Sequence, residues 1–239
     1  TFSIDQTKDI PVELNKAMQL AKNGKWGPVH VNIPRDILSG NESFESFTFE
    51  RDTKEKNINK NDLEKIISLI EKATKPIIIC GAGIKNSNSQ EEVISLSKSL
   101  NIPLVSSAGH GDVIPFDCDL YAGQMGPRGN KVASYLANHA DLIIAIGTRL
   151  GFNSTFYSYD NISKSAKIVQ VDIDPIALGR YFPIELGINN DAKKFLENLS
   201  SLISLKKLNH NNSVWVNNFF NEKNKYYKNR DNEADTNSK

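Results

Sequence analysis

The run PIIIC at residues 76–80 is apolar at every position. A strand with one face in water alternates apolar and polar residues, so a run without polar positions belongs to a strand covered on both faces, the usual state of a parallel sheet. Its surroundings repeat the theme. DLEKIISLIEKA at 62–73 has helical spacing with Asn61 as its expected N-cap, and EEVISLSKSL at 91–100 follows Ser89, which with Glu92 spells a capping box. Further strands are expected at PLVSS (103–107), DLIIAIG (141–147) and KIVQVDI (167–173), with helices over 130–139 and 191–203. Strands alternating with helices through right-handed crossovers make an α/β domain, a doubly wound parallel sheet over residues 61–205.

The flanks read differently. PVELNKAMQLAKN at 11–23 is an amphipathic helix opened by Pro11 and closed by Gly24, and Val29, Val31 and Ile33 then alternate with His30 and Asn32 as in a strand. Helix then strand is half of a unit, so residues 1–38 are expected to be the end of another domain. Residues 39–60 carry many charges and no sustained period, which is the pattern of a linker. Residues 206–239 are expected to be a connector beyond the sheet domain. Lys and Arg number 29 against 28 Asp and Glu, a net +1, so bulk charge draws the chain to neither nucleic acid nor an anionic membrane. No apolar run approaches the roughly 18 residues of a membrane span. Cys80 and Cys118 lack metal-ligand spacing and form no disulfide framework. A cytoplasmic setting is expected.

Ligands of doubly wound sheets sit beyond the carboxyl ends of the strands, which directs attention to the residues there. Gly81-Ala82-Gly83 follows the first strand, but Asn86 stands where a full dinucleotide fingerprint has its third glycine. Ser106 and Ser107 end the second strand. Gly147, Thr148 and Arg149 end the third, and Arg149 offers a planar cationic fork for a diphosphate. Asp172, followed by Ile173 at the end of the next strand, is placed to accept hydrogen bonds from ribose hydroxyls through its carboxylate. Gly123, Gly126 and Gly129, around Met125, would let backbone approach a flat ligand. Each has a bland reading as a turn or surface residue; their shared edge describes a cleft for an adenine dinucleotide.

The series GPVHVNIPRDIL, KPIIICGAGI, GQMGPRGNKVA, DLIIAIGTRL, AKIVQVDIDP and NDAK, in that order over residues 8–205, resembles the thiamine-diphosphate-dependent enzymes. Acetolactate synthase-like and sulfoacetaldehyde acetyltransferase-like members are the nearest in pattern. The resemblance implies that residues 1–38 end a pyrimidine-binding domain, that 61–205 are the Rossmann-like central domain, and that 206–239 lead toward a diphosphate-binding domain. It also implies a full-length enzyme using thiamine diphosphate and Mg2+, whose principal sites lie outside this chain, so that the chain alone is expected to be inactive and to hold no catalytic or metal-binding residue. Substrates would be a 2-oxo acid, or sulfoacetaldehyde with phosphate, and the assembly a homodimer or homotetramer. Trp26, Phe219, Phe220, Tyr226 and Tyr227 are candidates for subunit contacts.

In acetolactate synthase-like members the central domain holds FAD; in several relatives it is empty or holds another nucleotide. Carried over residue by residue, Gly81 and Gly83 would pass close to the dinucleotide, and Ser106 and Ser107 would meet its phosphates or ribityl chain. Met125-Gly126 would lie along the flavin, Gly147 and Arg149 at the diphosphate, Asp172 and Ile173 at the adenosine, and Asp191 at the adenine. The flavin-holding pattern continues after the arginine with an aromatic and two acidic residues, whereas here Leu150-Gly151-Phe152-Asn153 follow; the chain resembles the acetyltransferase at Gly147-Thr148-Arg149-Leu150, at Ser154-Thr155 and in the Gly-rich segment before Lys131. A non-catalytic nucleotide- or flavin-binding module is the alternative of another class. The GPVHVNIPRDIL segment with its preceding helix speaks against it, because such a module has no use for the end of a pyrimidine-binding domain.

Overall fold

A computed structural model describes residues 1–44, 57–155, 162–208, 210 and 212–237. The chain divides into two compact units, residues 1–56 and 57–239, the division falling within the stretch read as a linker. Residues 45–56 of that stretch lie outside the described residues.

In the first unit β1 (Phe2–Ser3) pairs in parallel with β2 (Val31–Asn32), Phe2 opposite Val31. Between them runs α1 (Ile10–Lys22), with proline in its first turn as expected, and α2 (Arg35–Leu38) follows β2. The strand read over 29–33 thus shortens to two paired residues.

The second unit contains α3 (Lys60–Lys72), β3 (Pro76–Cys80), α4 (Ala82–Asn86), α5 (Gln90–Leu100), β4 (Leu104–Ser106) and β5 (Tyr121–Gln124). It continues with α6 (Lys131–His139), β6 (Leu142–Ile146), β7 (Lys167–Asp172), β8 (Leu186–Asn189), α7 (Ala192–Lys206) and α8 (Ser213–Asn237). The six strands form one parallel sheet in the order β5-β4-β3-β6-β7-β8. The period of two divides the core: Ile78, Cys80, Leu142, Ile144, Ile146, Val169 and Val171 pack on one face with α3, α5 and α7. Ile77, Ile79, Ile143, Ala145 and Ile168 pack on the other with α6 and α8. Both faces of β3 and β6 are therefore dry, which is why their sequences show no alternation.

Several local expectations are corrected. The N-cap of α3 is Asn59, whose side chain accepts from the Asn61 N–H at 3.0 Å, two residues before the expected position. Ser89 precedes α5 but forms no capping box. It is fully buried, its hydroxyl bonds the Ser87 hydroxyl at 2.8 Å and the Ile84 carbonyl at 3.3 Å, and Glu92 instead pairs with Lys193 at 3.0 Å. The loop read between PLVSS and α6 contains β5. The segment around Leu186 forms β8, a half-exposed edge strand whose Gly187 weakens its signal.

The expected connector is built into the domain. In α8, Trp215, Val216 and Phe219 are buried in the core, the Trp215 indole N–H donates to the Pro76 carbonyl at 3.1 Å, and Lys223 Nζ donates to the Asp119 carbonyl at 2.9 Å. Phe219 is thus an internal packing residue and not a subunit contact. Phe220 and Tyr226 pack against the same cluster, and Tyr227 meets Phe116 edge-on at 6.3 Å. Trp26, by contrast, is exposed.

Between α7 and α8 the chain buries His210, and Asn212 Nδ2 donates to the Asn101 carbonyl at 2.7 Å. Burial holds the His210 imidazole below its ordinary value of 6.5, opposed in part by the Asp141 carboxylate. The folded state therefore prefers neutral His210, and the unfolded chain takes up the proton first as pH falls. The stability this group contributes is present above the ordinary histidine value and is lost as pH falls below it. Urea unfolding at successive pH values should show the gap between the parent and His210→Gln narrowing from pH 7 toward pH 5.5; parallel curves would contradict the assignment. Glu92 and Glu185, both held below the usual carboxylate value by lysine partners, act only at lower pH.

Candidate ligand edge at the strand carboxyl ends

The sheet order reverses between β3 and β6: the chain moves outward from β3 to β4 and β5, then returns to place β6 on the other side of β3. Crevices at such points bind ligands because the two flanking loops diverge. Here the loops touch. A Cβ built on Gly83 would lie 2.4 Å from Gly147 Cα, one on Gly147 would lie 2.5 Å from Gly83 Cα, and one on Gly81 would lie 2.2 Å from the Gly147 carbonyl oxygen. The Gly81 N–H donates to the Ile146 carbonyl and the Gly83 N–H to the Gly147 carbonyl, both at 3.0 Å. Two amides that a dinucleotide fingerprint would aim at a pyrophosphate are thus bonded to the neighbouring loop. The glycine run exists so that two backbones can pass in contact.

Around this seam the other loops converge. The Ser107 N–H donates to the Cys80 carbonyl at 2.9 Å, and the Met125 N–H to the Ser106 carbonyl at 2.9 Å. The Ser106 hydroxyl bonds the Tyr121 hydroxyl at 2.7 Å, while the Ser107 hydroxyl makes no hydrogen bond among the described residues. Gly126 has φ +106°, and a Cβ there would lie 2.7 Å from the Asn153 carbonyl oxygen and 3.0 Å from Ala108 Cβ. The Ala108 N–H donates to Ser154 Oγ at 3.2 Å. The loops after β4, β5 and β6 therefore meet at Ala108, Gly126 and Asn153-Ser154. Gly123 and Gly129 face their own chain, against Asn130 and Gln124, so their smallness serves that turn.

Arg149 is exposed and makes no hydrogen bond or ion pair among the described residues, although Thr148 and Leu150 on either side are buried. Asp172 Oδ1 accepts from the Asp174 N–H at 2.9 Å, and Asn189 Nδ2 donates to the Asp172 carbonyl at 3.1 Å and the Ile173 carbonyl at 2.9 Å. Ile173 presents its side chain to solvent. Asp191 caps α7, its Oδ1 accepting from the N–H groups of Lys193 at 2.9 Å and Lys194 at 3.3 Å.

Residues 63–199, more than half the chain, match the family model described as "Thiamine pyrophosphate enzyme, central domain". The chain belongs to the thiamine pyrophosphate enzyme family. The acetolactate synthase large subunit of Buchnera aphidicola subsp. Schizaphis graminum is 30% identical over 224 residues, 90% of this chain and 38% of that protein. The probable acetolactate synthase large subunit of Methanocaldococcus jannaschii is 30% identical over 212 residues, 86% of this chain and 36% of that protein. Sulfoacetaldehyde acetyltransferase of Roseovarius nubinhibens is 32% identical over 196 residues, 80% of this chain and 32% of that protein. The chain thus spans under two-fifths of the length of these relatives.

Within this thiamine pyrophosphate enzyme domain the edge also depends on residues the sequence did not single out. Tyr121 joins Ser106 and donates to the Gly111 carbonyl at 3.3 Å, and burial pushes its phenol above the ordinary value while the Ser106 hydrogen bond opposes the shift. Asn130 ties the Gly-rich turn, its Nδ2 donating to the Ala122 carbonyl at 2.6 Å and its Oδ1 accepting from the Ala133 N–H at 2.8 Å. Its position three residues before Ala133, at a helix start, was a readable cap signal. Burial, with Cys118 nearby, pushes the Cys80 thiol far up, so Cys80 is a protonated packing group and not a nucleophile. Exposed Asp112 is held below the usual carboxylate range by its hydrogen bond from Lys85, a contact that tethers the loop after β4 to α4.

The seam makes a direct prediction. Gly147 has φ +61° and is in backbone contact, whereas Gly109 has φ +82° and nothing within 4 Å of an added Cβ. Gly109→Ala should cost only left-handed strain, about 1 kcal/mol, whereas Gly147→Ala adds a clash between two backbones and should cost roughly 3 kcal/mol in urea unfolding. Equal costs would show that the contact does not constrain the edge.

Proposed function

We propose that this chain is the central part of a thiamine-diphosphate- and Mg2+-dependent enzyme of acetolactate synthase type, which joins a two-carbon unit from one 2-oxo acid to a second. The observation that carries the reading is the 30% identity to acetolactate synthase large subunits across as much as 90% of the chain, within a domain whose family is assigned by residues 63–199. Thiamine diphosphate, when bound, supplies the electron sink for breaking a bond next to a carbonyl. Its site, with the Mg2+ that anchors its phosphates, is proposed to lie in parts of the protein outside this chain. In that plan residues 1–38 complete a pyrimidine-binding domain, α8 leads toward a diphosphate-binding domain, and the whole protein is a homodimer or homotetramer.

The role proposed for this chain's own residues is to hold an adenine dinucleotide, FAD, along the carboxyl edge of the sheet. Arg149 supplies an exposed guanidinium for the diphosphate, and Ser107, at the end of β4, a hydroxyl without a partner among the described residues for the phosphates or ribityl chain. Gly126 lies at the flavin side, with the neighbouring Met125 side chain buried in the core and contributing backbone only, Asp172 and Ile173 at the adenosine, and Ala192 with its cap Asp191 at the adenine end. Gly81, Gly83 and Gly147 act as the floor beneath the ligand, since their amides or flanking carbonyls are engaged with each other, and Ser106 holds Tyr121.

A second reading, sulfoacetaldehyde acetyltransferase, is supported by the 32% identity to that enzyme and by the likeness at Gly147-Thr148-Arg149-Leu150, at Ser154-Thr155 and in the Gly-rich segment before Lys131. Assay of the full-length protein with thiamine diphosphate and Mg2+ separates the two. Acetolactate formed from pyruvate supports the first, acetyl phosphate formed from sulfoacetaldehyde and phosphate supports the second, and a folded protein with neither activity contradicts both. FAD titration, followed by quenching of flavin fluorescence, tests the cleft: Arg149→Gln should weaken binding by about tenfold, equivalent to roughly 1.4 kcal/mol, without moving the melting temperature. Unchanged affinity would remove Arg149 from the site.

A further inference from the structure

Gln170 is the polar exception in the buried strand β7, where Ile168, Val169 and Val171 are all core residues. Its carboxamide is almost wholly enclosed, yet three hydrogen bonds satisfy it. Nε2 donates to the Thr148 carbonyl at 3.1 Å and to the Ala177 carbonyl at 3.1 Å, and Oε1 accepts from the Gly179 N–H at 2.8 Å. Both amide hydrogens and the carbonyl oxygen are engaged, on two different loops. A carboxamide is the one uncharged side-chain group that offers two N–H donors and a carbonyl acceptor from a single rigid plane. A glutamate would turn an acceptor toward two carbonyls, and a methionine would leave three backbone groups unpaired.

The two loops are those on which the proposed nucleotide reading rests. Thr148 directly precedes Arg149, and the turn is fixed on its other side by the Leu150 N–H donating to Thr148 Oγ1 at 3.3 Å, with the Leu150 side chain buried. Ala177 to Gly179 close the loop that begins at Asp172 and Ile173, two and three residues beyond Gln170 on the same strand. We propose that Gln170 is a positioning residue which locks the Arg149 loop and the 172–179 loop to strand β7 at one separation, so that a single ligand meets the diphosphate and adenosine contacts together. It touches no ligand itself. This proposal depends on the nucleotide reading for its consequence, while the lock is a property of the chain alone.

The test compares the parent with Gln170→Met, and with Gln170→Asn should the methionine variant fail to fold; the asparagine keeps the carboxamide but is a methylene too short to span both loops. Binding is measured at 10 °C with ADP, which reaches both loops, and with adenosine, which reaches one. Loss of the lock should weaken ADP by about tenfold or more and adenosine by no more than about threefold, because only the bridging ligand depends on the separation of the loops. Equal losses for both ligands, or an ADP affinity within about twofold of the parent, would overturn the proposal. Hydrogen exchange without ligand reads the lock independently: the amides of Leu150, Leu178 and Gly179, each bonded in the parent, should exchange faster in the variant while those of β3 and β6 stay unchanged. If the parent binds neither ADP nor FAD, the nucleotide reading falls, and exchange alone then decides the lock. Unchanged exchange at both loops would overturn it.

Discussion

The carboxyl edge of the sheet depends on backbone-to-backbone contact between Gly81-Ala82-Gly83 and Gly147. The two loops leave adjacent parallel strands at the point where the strand order reverses. Each would be forced outward by a single added carbon, since the built Cβ positions fall 2.2 to 2.5 Å from opposing backbone atoms. Closing this seam fixes the height of the loop after β6 and therefore where Arg149 emerges. Along the rest of the edge Arg149 and Ile173 are exposed, whereas Ser107 and Gly126 are buried.

The surrounding structure makes that seam rigid. β3 and β6 are dry on both faces, β7 continues the ladder from β6, and the Gly147 N–H is itself bonded to the Val171 carbonyl at 2.8 Å. The helix α8 adds a brace at the opposite end of β3 by the Trp215 bond to Pro76. The loops at the carboxyl edge thus have roots fixed by the core, with polar groups such as Gln170, Tyr121 and Asn130 fixing the loops themselves. Buried polar groups in such places are costly unless fully paired, and here each has its partners.

The sheet was legible in the sequence because its strands carry unbroken apolar runs and its helices strong periodicity; β3, β4, β6, β7, α5, α6 and α7 all lie where the pattern put them, and α3 begins earlier by its Asn59 cap. β5 and β8 were hidden by composition, since Tyr121-Ala-Gly-Gln and Leu186-Gly-Ile-Asn are short and interrupted by glycine, and their pairing comes from neighbours distant in sequence. The burial of Trp215 and Phe219 was hidden because α8 presents only a narrow apolar stripe among polar residues. At the edge, sequence order brought Ser106, Ser107, Gly147, Arg149, Asp172 and Ile173 to the right end of the sheet. It could not tell which groups are committed internally: the Gly83 amide to Gly147 and the Ser106 hydroxyl to Tyr121 depend on distances no spacing encodes, whereas the Asp191 cap of α7 was readable from its place before the helix.

The central claim is that the glycine turn is architecture and that the ligand groups are on the loops around it. Residue-resolved hydrogen exchange, measured before and after saturation with FAD, tests it most directly. The account predicts that Gly81 and Gly83 amides are already slow without nucleotide and change little, while the segments around Ser107, Gly126, Arg149 and Ile173 gain protection. Rapid exchange at Gly81 and Gly83 without nucleotide, abolished on binding, would contradict it.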